Sequence, residues 1–311
     1  MLVKSDIPKL LLSGMKTNFM QSFETAEKQY LEIATEITST KSEETYPWLG
    51  AVPKMREWKD ERTPQGLLEH NFTVPNRDFE ASIAIDRNAI EDEQYGQIEI
   101  RTRELSVEAV RFFDELTFSL IPEGVNTTGS VGGLFAGQNV ACYDGKAYFA
   151  TNHSEGNSGT HSNRGSAELS SAAIQAAITA MRKFKTDAGK PAGKRPNVLV
   201  VPPDLEWTAN KIINSATDIT TTGELGVNTI FKALKIVVSD YLTDTNNWYL
   251  FDTRGVVKPI ILQMRKAPTF SQLTDGTEAE FMRKKLYFGV DWRGAVAFGD
   301  WRNGYASIVP K

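Results

Sequence analysis

Between residues 91 and 120, Tyr95, Ile98, Thr102, Leu105, Ala109, Phe112, Leu116 and Leu120 return at gaps of three and four, the period of a helix with one buried stripe. The acidic trio Glu91-Asp92-Glu93 suits the positive end of a helix dipole, and Pro122 with Gly124 closes the run. At 1.5 Å per residue such a helix is about 45 Å long, comparable to the width of a small domain. It must therefore act as a spine on which other elements are laid. The 311 residues, 41% hydrophobic and 10% aromatic, can bury one large core or two modest ones.

Ahead of the spine, Phe19, Phe23, Ala26, Tyr30 and Ile33 alternate at gaps of four and three, which predicts a helix over residues 18–34. Residues 38–44 are polar and read as a linker, followed by the apolar knot Tyr46-Pro47-Trp48-Leu49-Gly50. The first fifty residues thus read as an arm that docks at intervals. Further on, Phe79, Ala81, Ile83 and Ile85 alternate with Glu80, Ser82 and Asp86, a strand with one apolar face. The turn residues 74–78 before it predict a hairpin over residues 67–90, with 68–74 as the partner strand. A lone hairpin is marginal in water, so this one needs a neighbouring element or a neighbouring subunit. If it is an assembly contact, Ile83→Asp should leave the subunit soluble and impair assembly.

Beyond the spine, residues 126–137 are rich in Gly, Thr and Ser, and short elements alternate from there to about residue 252. Strands are expected at 147–150, 198–201, 236–238 and 248–251, with helices over 168–185 and 205–213, giving an α/β module. The remainder is strand-rich, at 259–264, 286–290, 295–298 and 305–309, and should form a sheet. The fold class is α+β.

Charges of both signs are interspersed and sum to -4, which argues against tight DNA binding by the chain as a whole. Cys142 is the single cysteine, so there is no disulfide framework and the composition fits a reducing compartment such as the bacterial cytoplasm. The apolar run Leu10-Leu11-Leu12 is too short for a signal-peptide core or a bilayer span, and a soluble protein without a membrane anchor is expected.

Few residues in the chain fall into a pattern that chemistry requires. His153, His161 and Cys142 lack the spacing of a zinc finger or ribbon, His70 stands alone, and no metal or cofactor is expected. No Gly-x-Ser-x-Gly elbow occurs, and Ser158 with His153 or His161 is a pair by sequence proximity alone. If these three are only loop residues, alanine at all of them leaves stability and assembly intact. The run from Gly189 to Arg195 has one residue too few between its glycines for a phosphate loop, with Arg195 where Ser or Thr is required. Arg182, Lys183, Lys185, Lys190, Lys194 and Arg195 could touch nucleic acid, but a helix C-terminus followed by a solvated loop accounts for them more simply. Trp48, Trp58, Trp248, Trp292 and Trp301 are interface anchors or core, with sequence alone dividing them evenly.

The order of parts matches the Hong Kong 97-type (HK97-like) capsid fold: arm, knot, hairpin, long helix, α/β module and returning sheet. Tyr46-Pro47-Trp48-Leu49-Gly50 with Arg56-Glu57-Trp58, then Phe79-Glu80-Ala81-Ser82-Ile83 and Tyr95-Gly96, more specifically resemble the major head subunit of Mu-like tailed phages. The resemblance implies an N-terminal arm (1–50), an extended loop (51–90), the spine of a peripheral domain (91–122), an axial domain (123–255) and returning peripheral strands (256–311). It implies a structural protein, not an enzyme, assembling as hexamers and pentamers into an icosahedral head. Such a head would enclose double-stranded DNA without sequence-specific binding, with portal and scaffold or maturation proteins as further partners. Some members of the fold crosslink through a Lys and an Asn, and no such pair is identified in this chain. Two other readings remain: an encapsulin-type nanocompartment shell, and a hydrolase built on Ser158, His153 and His161.

Overall fold

The computed structural model describes residues 7–47, 72–86, 88, 95–219, 225–273 and 284–310. The arm begins with helix α1 (Ile7–Thr25), passes through a 3-10 turn (Gln29–Glu32) and continues as strand β1 (Ala34–Thr38). The stripe read from sequence is buried at Phe19, Tyr30 and Ile33, yet two elements carry it where a single helix over 18–34 was expected. The competing partner is on the spine: the Tyr30 N–H donates to Asp114 Oδ1 at 2.7 Å, and a helix cannot continue through a backbone group so engaged. The 38–44 segment is structured as well. Glu44 accepts from the Thr40 and Lys41 N–H groups and from the Ser39 hydroxyl, setting up the short strand β2 (Glu43–Thr45).

β2 pairs antiparallel with β3 (Thr73–Pro75), and β4 (Arg77–Asp86) pairs elsewhere. Residues 68–71 of the expected partner strand lie outside the described residues, and the described part of it, in β3, does not pair with β4. The Asn76 side chain donates to Ser39 Oγ and Lys41 O, which binds the turn to the arm and sends the two strands to different sheets. Phe79, Ile83 and Ile85 do share an inward face, as their alternation requires. Ile83 packs on a small core with Phe19, Ile85, Leu105, Phe270 and Phe288, so Ile83→Asp would strike the subunit's own core before any assembly contact.

The spine is helix α2 (Tyr95–Glu123), and the start expected at residue 91 lies outside the described residues. Its buried face is wider than the stripe: Thr102, Leu105, Leu116 and Leu120 are joined by Ser106, Val110, Phe113, Thr117, Phe118 and Ile121. A helix covered on one side by α1 and on the other by a sheet has to be apolar over much of its circumference.

After α2 come two-residue strands β5 (His153–Ser154), β6 (Thr160–His161) and β7 (Arg164–Gly165), then helix α3 (Ser171–Arg182), capped by Ser170. Strand β8 (Val198–Val201), helix α4 (Glu206–Asn214), the ribbon β9 (Thr217–Ile219) with β10 (Leu225–Val227), and strands β11 (Lys235–Val238) and β12 (Trp248–Phe251) follow. The strand expected at 147–150 is absent; Tyr148 and Phe149 are fully buried in irregular chain, Tyr148 stacked on Phe298 and Phe149 edge-on to both. The last elements are β13 (Ile260–Leu273), β14 (Lys285–Phe298) and β15 (Gly304–Ser307).

These strands make two main sheets, ordered β1-β13-β14-β4 and β11-β8-β12-β15-β7. The strands expected at 286–290 and 295–298 are one long strand, β14, because Gly294 lets it approach β13; a Cβ there would lie 2.2 Å from Gln263 O. β15 does not join β13 and β14 but inserts beside β12 in the second sheet. One core runs from Tyr30, Ile33 and Phe113 through Phe149 and Phe298 to Leu199, Val200, Tyr249 and Phe251, so both sheets share an interior.

Candidate functional site

His153, His161, Lys185 and Lys194 all meet the 3-10 turn Trp301–Asn303, which links β14 to β15. Arg302 is buried there and its guanidinium is nearly saturated: Nη2 meets Glu155 Oε2 at 2.5 Å, Nη1 meets Asp300 Oδ1 at 3.1 Å and Tyr143 Oη at 2.9 Å, and Nε donates to Lys185 O at 3.0 Å. Glu155 in turn accepts from Trp301 Nε1 and from the Tyr143 hydroxyl. Burial works to raise the Asp300 carboxyl, but Lys194 and Arg302 beside it hold it below its usual range. Burial likewise works against the Arg302 cation, and Asp300, Tyr143 and Glu155 outweigh it and hold the charge in place. Asn163 completes the knot, its amide nitrogen reaching the carbonyls of Tyr148, Trp301 and Gly304 while its oxygen accepts from Ala150 N–H.

His153 and His161 both pack on Trp301, His153 face to face at 4.2 Å and His161 at 6.2 Å. Neither meets Ser158 as a base meets a nucleophile. His153 Nδ1 lies 2.6 Å from Asp144 Oδ2, and its Nε2 lies 3.2 Å from Tyr148 O, so both ring nitrogens are spent on structure. The Ser158 hydroxyl accepts from Glu155 N–H and donates to Gly159 O, touching neither imidazole, and His161 Nε2 faces Ser158 O. Burial pushes the His161 pKa down. Alanine at all three is thus not expected to be silent: removing the His153 ring strands a buried carboxylate at Asp144 and opens a space against Trp301.

Cys142 is buried, its Sγ 3.3 Å from Gly299 O, and burial pushes its thiol well above the ordinary range. Among the described residues no three His, Cys, Asp or Glu side chains gather in a manner that could hold a metal ion, and no helix is long and apolar enough to cross a membrane. His70, Trp48, Trp58 and Glu91-Asp92-Glu93 lie outside the described residues. A groove of about 230 Å³ between β4, α2 and β14 is lined mostly by apolar residues, among them Phe79, Ala109, Phe112, Val290 and Trp292, together with Glu80 and Glu108. It offers no convergent polar set for catalysis.

What the molecule does offer is reach and surface. α2 is 29 residues long, β4 is an edge strand among the described residues, and the arm lies across the spine. Trp248, Trp292 and Trp301 are core, whereas Trp207, passed over in the sequence, is 80% exposed in the first turn of α4. Nothing in the local pattern distinguished it, since an exposed tryptophan and a buried one look alike without the helix phase of α4.

The Mu-like prophage major head subunit gpT family model matches residues 9–168, 163–242 and 243–309. The Mu-like prophage FluMu major head subunit of Haemophilus influenzae is 30% identical over 98% of this chain and 74% of its own length. The major capsid protein of Escherichia phage Mu is 24% identical over 96% of this chain and 72% of its own length. Among solved structures, the procapsid of bacteriophage JBD30 matches with a TM-score of 0.56 and 25% identity, over 97% of this chain and 76% of that one. The virus-like particle of Pyrococcus furiosus, at 11% identity and a TM-score of 0.50 over 94% of this chain and 97% of that one, shares the fold alone. Together with the spine and the two sheets, these matches place the chain in the family of Mu-like phage major head subunits, structural proteins of the capsid.

Proposed function

We propose that the chain tiles a phage head as hexamers and pentamers, closing an icosahedral shell around double-stranded DNA that it does not bind by sequence. In this reading residues 1–50 form the arm, 51–90 the extended loop, 91–122 the spine and 123–255 the axial domain. Residues 256–311 return to the periphery, except that β15 adds to the axial sheet. The protein has no catalytic role; portal and scaffold or maturation proteins join it in the host cytoplasm. The observation that carries the reading is the family match along residues 9–309, which includes both sheets and the spine between them. A closed shell needs several extended contacts per subunit, and a long helix, an edge strand and a docked arm are parts of that kind. The test is sedimentation velocity with negative-stain microscopy of the purified chain, alone and with a scaffold, followed by nuclease treatment of particles from infected or induced cells. Shells that protect DNA support the proposal; a monomer under every condition overturns it, and DNA-free shells carrying an enzyme cargo point to a nanocompartment.

A further inference from the structure

Charge is segregated along the strand direction of the five-stranded sheet. β7, β8, β11 and β15 run parallel and β12 runs against them, so the segments after β7, β8 and β11 collect at one end. Those segments, residues 166–170, 202–207 and 239–247, contain Glu168, Asp204, Glu206, Asp240 and Asp244 and no Lys, Arg or His. The same end displays Trp207. At the other end, the lead into β8 over residues 182–197 contains Arg182, Lys183, Lys185, Lys190, Lys194 and Arg195 against the single acid Asp187, with Asp252 and Asp300 beside it taking the Arg195 N–H and Lys194.

Lys194 is engaged with Asp300 at 3.2 Å, but the other five cations are exposed and make no ion pair among the described residues. A helix dipole accounts for Arg182 and Lys183, in and next to the last turn of α3; its effect fades within that turn and leaves Lys185, Lys190 and Arg195 without a reason. The loop that carries them is rigid. Thr186 N–H donates to Lys190 O, Ala192 N–H to Phe184 O and Asn157 N–H to Asp187 O, and Arg302 grips Lys185 O from the buried network. Cations on a braced turn lose little freedom when they meet a partner.

The two ends cannot meet within one molecule, because α3 lies between them and its 12 residues span about 18 Å. Between identical copies they can, in a head-to-tail contact of the kind that closes rings. We propose that the basic turn 182–195 of one subunit seats against the acidic, Trp207-bearing end of its neighbour. Charge complementarity sets the register of the contact and Trp207 supplies its buried anchor. This rests on the reading of the chain as a self-assembling head subunit. DNA as the partner of the turn is the competing occupant; it leaves the clustering of carboxylates around an exposed tryptophan without a role.

The test is a charge swap in the full chain, scored by the fraction of subunit in fast-sedimenting shells, under conditions in which wild type assembles. If wild type itself forms no shells, the head-subunit reading fails first, and the two failures are thereby distinguishable. Lys183→Glu with Lys185→Glu and Lys190→Glu, and separately Asp204→Lys with Glu206→Lys, should each cut assembly about ten-fold, and all five together should restore it to within about three-fold of wild type. Absence of rescue with both parent variants folded, or normal assembly of either parent, overturns the contact. Normal shells that lose nuclease-protected DNA overturn it in favour of DNA. Should the swaps fail to fold, the difference spectrum between wild type and Trp207→Phe decides: emission moving to shorter wavelength on assembly supports burial of Trp207 between subunits, and an unmoved spectrum overturns it.

Discussion

Replacing Arg302 by Met should be among the most damaging single changes available in the described structure, and its size follows from the geometry. The residue is 2% exposed and its partner Glu155 7%, so neither charge is solvated. Arg302→Met removes the contacts to Glu155, Asp300, Tyr143 and the Lys185 carbonyl at once. Asp300 keeps Lys194, but Glu155 is left with Trp301 Nε1 and the Tyr143 hydroxyl and no cation. Breaking a buried pair from one side costs about 3–5 kcal/mol. Adding Glu155→Leu removes the stranded charge, and the double variant, which lacks the hydrogen bonds to Trp301, Tyr143, Asp300 and the Lys185 carbonyl but buries no unpaired carboxylate, should lose less than Arg302→Met alone. Urea denaturation of the unassembled subunit, followed by far-UV circular dichroism, measures both. A single-variant loss under about 1 kcal/mol, or a double variant whose loss is the sum of the singles, would refute the view that this pair is a buried, mutually dependent unit.

Four further outcomes are expected. Burial, partly offset by the N–H donors of Tyr30 and Gln29, raises the Asp114 carboxyl to about 6, against 3.8 ordinarily; the folded state therefore binds the extra proton, and its contribution to stability rises as pH falls from about 6 to about 4, by at most about 3 kcal/mol. Asp114→Asn should flatten that part of the pH profile, and an unchanged slope would show the arm is not docked through a strained carboxylate. Cys142 should resist an aromatic disulfide reagent in the native protein and react on unfolding, since its thiol is buried and its ionisation suppressed; fast native labelling would contradict this. Gly304→Ala places a Cβ 2.6 Å from the ring of the fully buried Tyr148 and should cost about 1–3 kcal/mol by urea midpoint, whereas a neutral result would mean the ring has room to move. Shell formation should weaken as salt rises from 0.05 to about 0.5 M, because the screening length drops below the reach of exposed charges; assembly indifferent to salt would argue against a charge-set contact.

The parts of this molecule that sequence reveals are those set by periodicity. The spine from Tyr95, the strand face of Phe79, Ile83 and Ile85, and the buried runs 198–201 and 248–251 follow from spacing and apolarity alone. What spacing does not carry is partner choice. Tyr30 leaves the helix because Asp114, 84 residues away, takes its N–H, and among the described residues β3 and β4 pair with different strands, with Asn76 tying the turn between them to Ser39 and Lys41. β14 reads as two strands because Asp291 and Gly294 interrupt its composition, while in the sheet Gly294 is what brings it close to β13. The buried network of Tyr143, Glu155, Asp300 and Arg302 joins residues up to 159 positions apart, so no local motif announces it. His153, His161 and Ser158 did prove neighbours, but as packing and turn-forming groups around Trp301.

Electron cryomicroscopy of particles assembled from this chain should show closed icosahedral shells in which α2 lies along the shell wall, the arm stays docked on it through Tyr30 and Asp114, and neighbouring copies meet through surfaces of the five-stranded sheet and the edge of β4. A protein that stays monomeric with its scaffold present, or shells whose subunits touch through neither surface, would contradict this arrangement.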